Sequence, residues 1–306
     1  MVEYRLLTYK SAKGPRAGIA VGDKVFDVAA VTRKAAYATV LDVLDDWRAA
    51  QKLLSAAADK AGKLKGQPLA KTKLLAPVPS PSGIYCAGAN YSDHVAEMAR
   101  AQGKEPEPDP HTLGLKPWHF IKPAGTITGP GAPAKVPAYS QKLDWEAELV
   151  AVIGRPAKNV PLEKALDYVA GYTVANDLSA RDAMKRAGVP STSPFQFDWV
   201  GQKCFDDACP IGPWIVPAKQ VGDPQKLAIK LWVNDVLKQD SNTSQMIFNT
   251  AEQISHLSSR MTLHPGDLVL TGTPAGVGMG RNEFLKPGDV VKVWIEKIGT
   301  LTNKMA

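Results

Sequence analysis

Cysteine is scarce in this chain: three residues in 306, Cys86, Cys204 and Cys209, with no CxxC pair. That spacing argues against a disulfide framework and against a structural zinc site. Packed thiols are the expectation, and Cys86 would be a nucleophile only with a base beside it. No stretch approaches the roughly 20 apolar residues of a membrane span. The opening MVEYRLLTYK has neither an apolar core segment nor a cleavage site. The expectation is therefore a cytoplasmic protein with no membrane partner.

Acidic residues are short relative to basic ones, but only at one end. Residues 1–75 hold 14 Lys/Arg against 7 Asp/Glu, whereas residues 76–306 hold 23 of each. The lysines of the basic quarter (Lys52, Lys60, Lys63, Lys65, Lys71, Lys73) are scattered and lack interleaved aromatics for stacking bases. We read them as a solvated face, not a nucleic-acid surface, able at most to steer anionic substrates. The glycine-rich stretch Thr271–Gly280 lacks GxGxxG, contains Pro274 and precedes no clear helix, which excludes a dinucleotide site. Its backbone amides could form a small anion-binding nest.

What is present reads as mixed α+β, mainly β. Residues 4–7 form a strand, and residues 18–28 a hairpin about Gly22-Asp23. Apolar residues recur at helical spacing from 39 to 65. Pro77, Pro79 and Pro81 cannot continue a helix and predict a stiff linker. The reading is a small N-terminal α+β domain at 1–75 and a larger domain at 76–306. In the latter, short β-rich runs fall at 149–153, 168–174, 214–216, 228–233, 268–271 and 290–295. Helices are expected at 93–101, 178–187 and 247–258, and few crossovers favour a barrel or roll. The run Glu105-Pro106-Glu107-Pro108-Asp109-Pro110 makes 101–115 an exposed loop, either a lid or inert surface.

Asp144-Trp145-Glu146-Ala147-Glu148 opens an apolar strand. Alternation points Glu146 and Glu148 to one face, Cα atoms about 6.6 Å apart at roughly 3.3 Å per residue. Two carboxylates there repel unless a cation lies between them, and all-oxygen ligation favours Mg²⁺, Mn²⁺ or Ca²⁺. The plainer alternative is a solvated strand end. Asp177, where another apolar strand stops, is either a third ligand or a helix N-cap. Arg181 and Asp182 read as a supporting ion pair. On a helix starting near Ser92, His94 and Glu97 stand at i and i+3, as a carboxylate-oriented base or an ordinary helical pair.

Six segments in order, CAGANYSDHVAEM, DWEAELVAVIG, GYTVANDLSARD, KCFDDACPIGPWIV, LVLTGTPAGVG and KPGDVVKVWIEKIGTL, resemble the fumarylacetoacetate hydrolase family over essentially all of 76–306. The resemblance implies a mixed β-roll, commonly homodimeric. It implies metal ligation by Glu146, Glu148 and Asp177, usually of Mg²⁺, Mn²⁺ or Ca²⁺, and water activation by His94 and Glu97. It implies charge stabilisation by Lys203, Lys122 near the site entrance, Arg181 beside the metal, and substrate contacts from Thr273, Gly276 and Gly278. The expected activity is hydrolysis of a C–C bond in a small anionic 2-oxo or diketo acid, of acylpyruvate or fumarylacetoacetate type. Oxaloacetate decarboxylation, isomerisation of a 2-hydroxyhepta-2,4-diene-1,7-dioate-type acid, and a non-catalytic metal- or ligand-binding role are the alternatives. Residues 191–201 look inserted relative to shorter members, and with 101–115 they are expected to shape the substrate pocket.

Overall fold

The Ala147–Ile153 strand is the spine of the molecule, and its parity organises two cores. Ala147, Leu149, Ala151 and Ile153 enter one core, and Val150 and Val152 enter the other. A strand covered on both faces reads as a continuous apolar run, which is what the sequence shows here. The computed structural model describes residues 2–105 and 107–306. Met1, and Pro106 of the proline-rich loop, lie outside the described residues.

Twelve strands form the main sheet. Its path runs from Gln67–Pro68 through the N-terminal strands Lys24–Asp27, Gly14–Val21 and Arg5–Ser11, then Cys209–Pro217, Val169–Asn176 and Ala147–Ile153. It ends with Leu268–Leu270, Ile84–Ala87 and His119–Ile121. Most pairings are antiparallel, but Leu268–Leu270 lies parallel to Ile84–Ala87. One face packs on a five-stranded sheet built from Val236–Asn242, Ala228–Val233, Val290–Ile295, Gly299–Met305 and Pro133–Ala134. The other face is covered by the N-terminal helices Val40–Asp45 and Trp47–Lys60. The fold is mixed and mainly β, as expected.

Three expectations need correction. The break at residue 76 does not separate two cores: Arg5–Ser11 pairs with Cys209–Pro217 in the same sheet, with Leu6 opposite Ile215. Tyr4, Leu6 and Leu54 share a core with Val150 and Ile211. Nor are the prolines a free linker, since Val78 is buried and the Pro77 carbonyl accepts from the Thr8 hydroxyl at 2.7 Å. Residues 178–187 form no α-helix; Ser179–Ala180 pairs with Leu143–Asp144, and a short 3₁₀ turn follows at Arg181–Ala183. Helical spacing failed there because the side chains answer to the site beneath them. The lysines of the first quarter are exposed, as a solvated face requires. No helix among the described residues is long and apolar enough to cross a membrane.

Asp27 joins the N-terminal hairpin to its helix. It accepts from the Ala30 amide at 3.0 Å, from Arg16 at 3.0 and 3.1 Å, and from the Tyr9 hydroxyl at 3.0 Å. Burial by itself would raise its pKa, but Arg16 and the Ala30 amide outweigh burial and hold it below the ordinary value. A depressed folded pKa stabilises fully above the unfolded value of about 3.9, and that stability drains away as pH falls through the folded value. Asp27→Ala is thus expected to cost about 1–2 kcal/mol at neutral pH in urea melts. The gap from the parent should close in acid.

A buried carboxylate triad beneath a histidine helix

Strand register assembles the triad. Glu148 pairs with Ala175 and Ala147 with Asn176; one step further, the Asp177 amide donates to the Glu146 carbonyl at 2.9 Å. Asn176 Oδ1 takes the Glu146 amide at 2.9 Å, closing the strand end. Oxygens of Glu146, Glu148 and Asp177 converge within 4.8 Å of one another, and all three side chains are buried. The solvated strand end is therefore excluded. So is the N-cap reading of Asp177, because no α-helix follows it.

Cations surround two of the three acids. Lys203 Nζ lies 2.9 Å from Glu146 Oε2 and 2.8 Å from Asp177 Oδ2. Arg181 reaches Glu146 Oε1 at 2.5 Å and Asp144 Oδ2 at 2.8 Å. It does not pair with Asp182, which instead accepts from Ser140 and the Gln141 amide. Lys122 is not at an entrance. Its ammonium donates to the Leu178 and Ala208 carbonyls at 3.1 and 2.6 Å and makes an ion contact with Asp177 Oδ1 at 2.5 Å. Held by two backbone carbonyls and paired in charge with Asp177, it is a buried brace for that acid.

Burial would raise the Glu146 pKa, but Lys203 and Arg181 overcome it and bring it down to about 2. Glu148 has no such cation. Its contact is the Gly272 amide at 2.7 Å, and burial, then Asp177 and Glu146, push its pKa well up. Four buried carboxylates, Asp144 included, thus face three cationic side chains. The one carboxyl without a cation of its own is Glu148, and a cation bound where the three sets of oxygens converge would keep it ionised. An oxygen-ligated hard divalent cation fits that set on charge and donor type.

The glycine-rich loop is a nest, but its anions belong to the protein itself. The Gly272 amide takes Glu148, and the Gly278 and Met279 amides take Asp144 at 2.6 and 3.0 Å. The Ala275 amide reaches Asp93 at 3.3 Å and the Gly276 amide takes Glu97 at 2.8 Å. These last two belong to the Ser92–Ala101 helix, which is thereby clamped over the site. Gly276 N–H is accordingly engaged with Glu97 and does not face substrate. Its φ is +99°, and a Cβ would lie 2.1 Å from the Lys238 carbonyl. Gly276→Ala is expected to destabilise the protein by about 2–3 kcal/mol and loosen the helix, visible as a lower melting temperature and faster proteolysis near residue 97.

His94 and Glu97 share a helix face, with Nδ1 3.9 Å from Oε2, an ion contact longer than a hydrogen bond. Burial would raise the Glu97 pKa, but His94 and the Gly276 amide outweigh burial and hold it low. His94 is also close enough to Glu146 to help lower that pKa. Thr273 is buried and accepts from Gln239 Nε2 at 2.9 Å. The loop after the helix is tied down by His111, which lies 3.0 Å from Asp109 and 2.9 Å from Glu252. Cys86 and Cys209 are buried with raised pKa values, so neither is an activated nucleophile.

Two functional residues escaped the sequence reading. Asp144 collects Arg181 and two loop amides, and its parity with Glu146 and Glu148 was the available signal. Gln239 takes the Ala147 amide at 2.9 Å and donates to the Pro274 carbonyl at 2.8 Å, bolting the strand of Glu148 to the loop from the other sheet. Nothing local to residue 239 signals that contact.

The sequence profile described as "Fumarylacetoacetate (FAA) hydrolase C-terminal" matches residues 83–306. An oxaloacetate tautomerase, mitochondrial, from Xenopus laevis is 45% identical over 233 residues, covering 75% of this chain and 67% of the relative. Maleylpyruvate hydrolase from Sphingobium sp. SYK-6, solved with manganese(II) and pyruvate, superposes with a TM-score of 0.75 at 30% identity, covering 99% and 98% of the two chains. A 2-hydroxyhepta-2,4-diene-1,7-dioate isomerase from Mycobacterium marinum gives 0.70 at 32%, with coverage of 99% and 98%. The buried triad, the histidine helix above it and these matches together place the chain in the fumarylacetoacetate hydrolase family, a family of enzymes.

Proposed function

We propose that the protein is a divalent-metal-dependent hydrolase of small 2-oxo (diketo) acids of the acylpyruvate type, with Mg²⁺ as the resident ion and Mn²⁺ a working substitute. The observation that carries this is the convergence of Glu146, Glu148 and Asp177 beneath His94. These three acids would hold the ion. When bound, such an ion supplies the positive charge that polarises a 2-oxo acid's carbonyl and steadies the departing enolate. The chain's own groups do the rest. Glu97, fixed by the Gly276 amide, orients the His94 ring, which takes a proton from the attacking water. Lys203, with two N–H groups spent on Glu146 and Asp177, offers its third to the developing negative oxygen. Thr273 keeps its O–H proton free to donate to a substrate oxygen. Arg181 and Lys122 hold the acids in place. The substrate would be a small anion, and the working unit a homodimer.

A second reading follows from the Xenopus laevis relative and from the 3.9 Å separation of His94 and Glu97: proton transfer between keto and enol forms of a 2-oxo diacid, with no water attack. A mass-spectrometric screen of oxo acids with Mg²⁺ or Mn²⁺, run beside an EDTA control, separates them. Hydrolysis adds water and yields two acids, decarboxylation releases CO₂, and tautomerisation or isomerisation preserves mass. Silence across the panel with either metal would remove the hydrolase reading.

A further inference from the structure

Resting on that reading of the site, we infer that the protein selects 2-oxo acids whose distal end is a planar apolar group, and that Trp199, Phe120 and Trp118 form the selecting wall. The short helix Trp199–Lys203 carries Trp199 and Lys203 four residues apart, which puts both on one helix face. Lys203 Nζ sits between two triad carboxylates and at the same time 4.9 Å from the centre of the Phe120 ring. Phe120 is stacked on Trp199 at 5.9 Å and 17°, and Trp118 closes the group at 5.2 Å from Trp199 and 5.8 Å from Phe120. The aromatics therefore run without interruption from the ammonium at the acid triad to the surface.

At the outer end the rings are uncovered. Trp118 is 49% exposed and Trp199 39% exposed, although each is packed against another ring. The wall is nevertheless built, not incidental. Trp118 occupies the space above Gly88, in the turn leading to the His94 helix; a Cβ there would lie 1.8 Å from the indole. The Trp199 helix is capped by Asp198, which takes the Gly201 amide at 2.8 Å and also pairs with Arg186 at 2.9 Å. An edge of aromatic faces beginning at the reacting centre suits a flat acyl substituent, held by stacking while the 2-oxo acid end lies at the triad. The outer rings, Trp118 and Trp199, are apolar, and the ammonium at the inner end, Lys203, is already held by Glu146 and Asp177, so a distal carboxylate gains little from the wall.

The test uses the full chain loaded with Mn²⁺ and two substrates, 2,4-dioxo-4-phenylbutanoate and 2,4-dioxopentanoate. The phenyl compound should be preferred by about tenfold in KM, the worth of one good aromatic pairing, because stacking serves substrate and transition state alike; kcat differs besides, since the ring is conjugated with the carbonyl under attack, so the ratio to follow is that of the KM values. Trp199→Ala should bring the ratio close to one, and Trp199→Phe should keep most of it. A ratio near one in the parent, or an equal loss on both substrates in Trp199→Ala, overturns the proposal. If neither compound is turned over, calorimetric titration with the same two acids still decides. Tighter phenyl binding that Trp199→Ala removes upholds the wall while the hydrolase reading falls, and equal affinities sink the wall. A Trp199→Ala protein that changes from dimer to monomer in sedimentation shows instead that the rings are a subunit contact, and overturns it too.

Discussion

Glu148→Gln is expected to make the metal-free protein more heat-stable while lowering turnover by at least about 10²–10³-fold. The two effects share one cause. Glu148 is buried beside Glu146 and Asp177, takes one backbone amide, and has no cation of its own. A neutral amide keeps the Gly272 contact through its oxygen and removes the repulsion, which is worth roughly 1–2 kcal/mol at a site like this. In a chain of this size, about 1 kcal/mol moves the melting temperature by ~2–4 °C. The same change removes a ligand. The parent should gain about 2.7 kcal/mol from Mn²⁺ at a hundredfold excess over its Kd, and the variant should gain little. Two melting curves, with metal and with EDTA, check both halves. A variant less stable than the parent in EDTA, or one that keeps the full Mn²⁺ shift, would show that Glu148 is not the uncompensated charge.

That crossing of stability and function explains which parts of the site could be seen in the sequence. Strand alternation put Glu146 and Glu148 on one face, and the pairing that sets Asp177 against Glu146 needed only the neighbouring strand to end in a polar corner. The helical spacing of His94 and Glu97 was likewise local. Contacts between distant segments were not legible. Gln239 and Ala147 lie 92 residues apart, and Lys122 and Ala208 lie 86 apart. Arg181 sits beside Asp182 in the chain, so the nearest opposite charge looked like its partner; the Leu143–Asp144 and Ser179–Ala180 ladder instead carries it to Asp144 and Glu146. The loop amides were misjudged for a related reason. A glycine-rich turn announces that anions can be bound, but not that Glu97, Glu148 and Asp144 already fill it. The N-terminal segment was set apart by the prolines that follow it, yet the Arg5–Ser11 strand pairs into the main sheet against Cys209–Pro217, with Leu6 and Ile215 in one core.

His94→Ala is expected to lower the rate of hydrolysis by about 10²–10⁴-fold while leaving the Mn²⁺-induced melting shift intact. His94 touches none of the three acids as a ligand; it lowers the Glu146 pKa only from a distance and rides on a helix held by Asp93 and Glu97. Removing the ring therefore leaves the triad, Lys203 and the loop clamp where they are. What is lost is a group able to accept a proton above the carboxylates. Glu97 cannot replace it, because its pKa is held low and one oxygen is bound to the Gly276 amide, so it is a weak base. The loss should appear in kcat with little change in KM, since a base acts in the transition state and not in substrate binding. Glu97→Gln should fall between parent and His94→Ala, because it releases the ring's orientation without removing the ring. If hydrolysis survives in His94→Ala, water is activated elsewhere. If hydrolysis is lost but the variant still exchanges the substrate's C3 proton with deuterated solvent at the parent rate, proton transfer at carbon belongs to Lys203 or to solvent, and the histidine serves water alone.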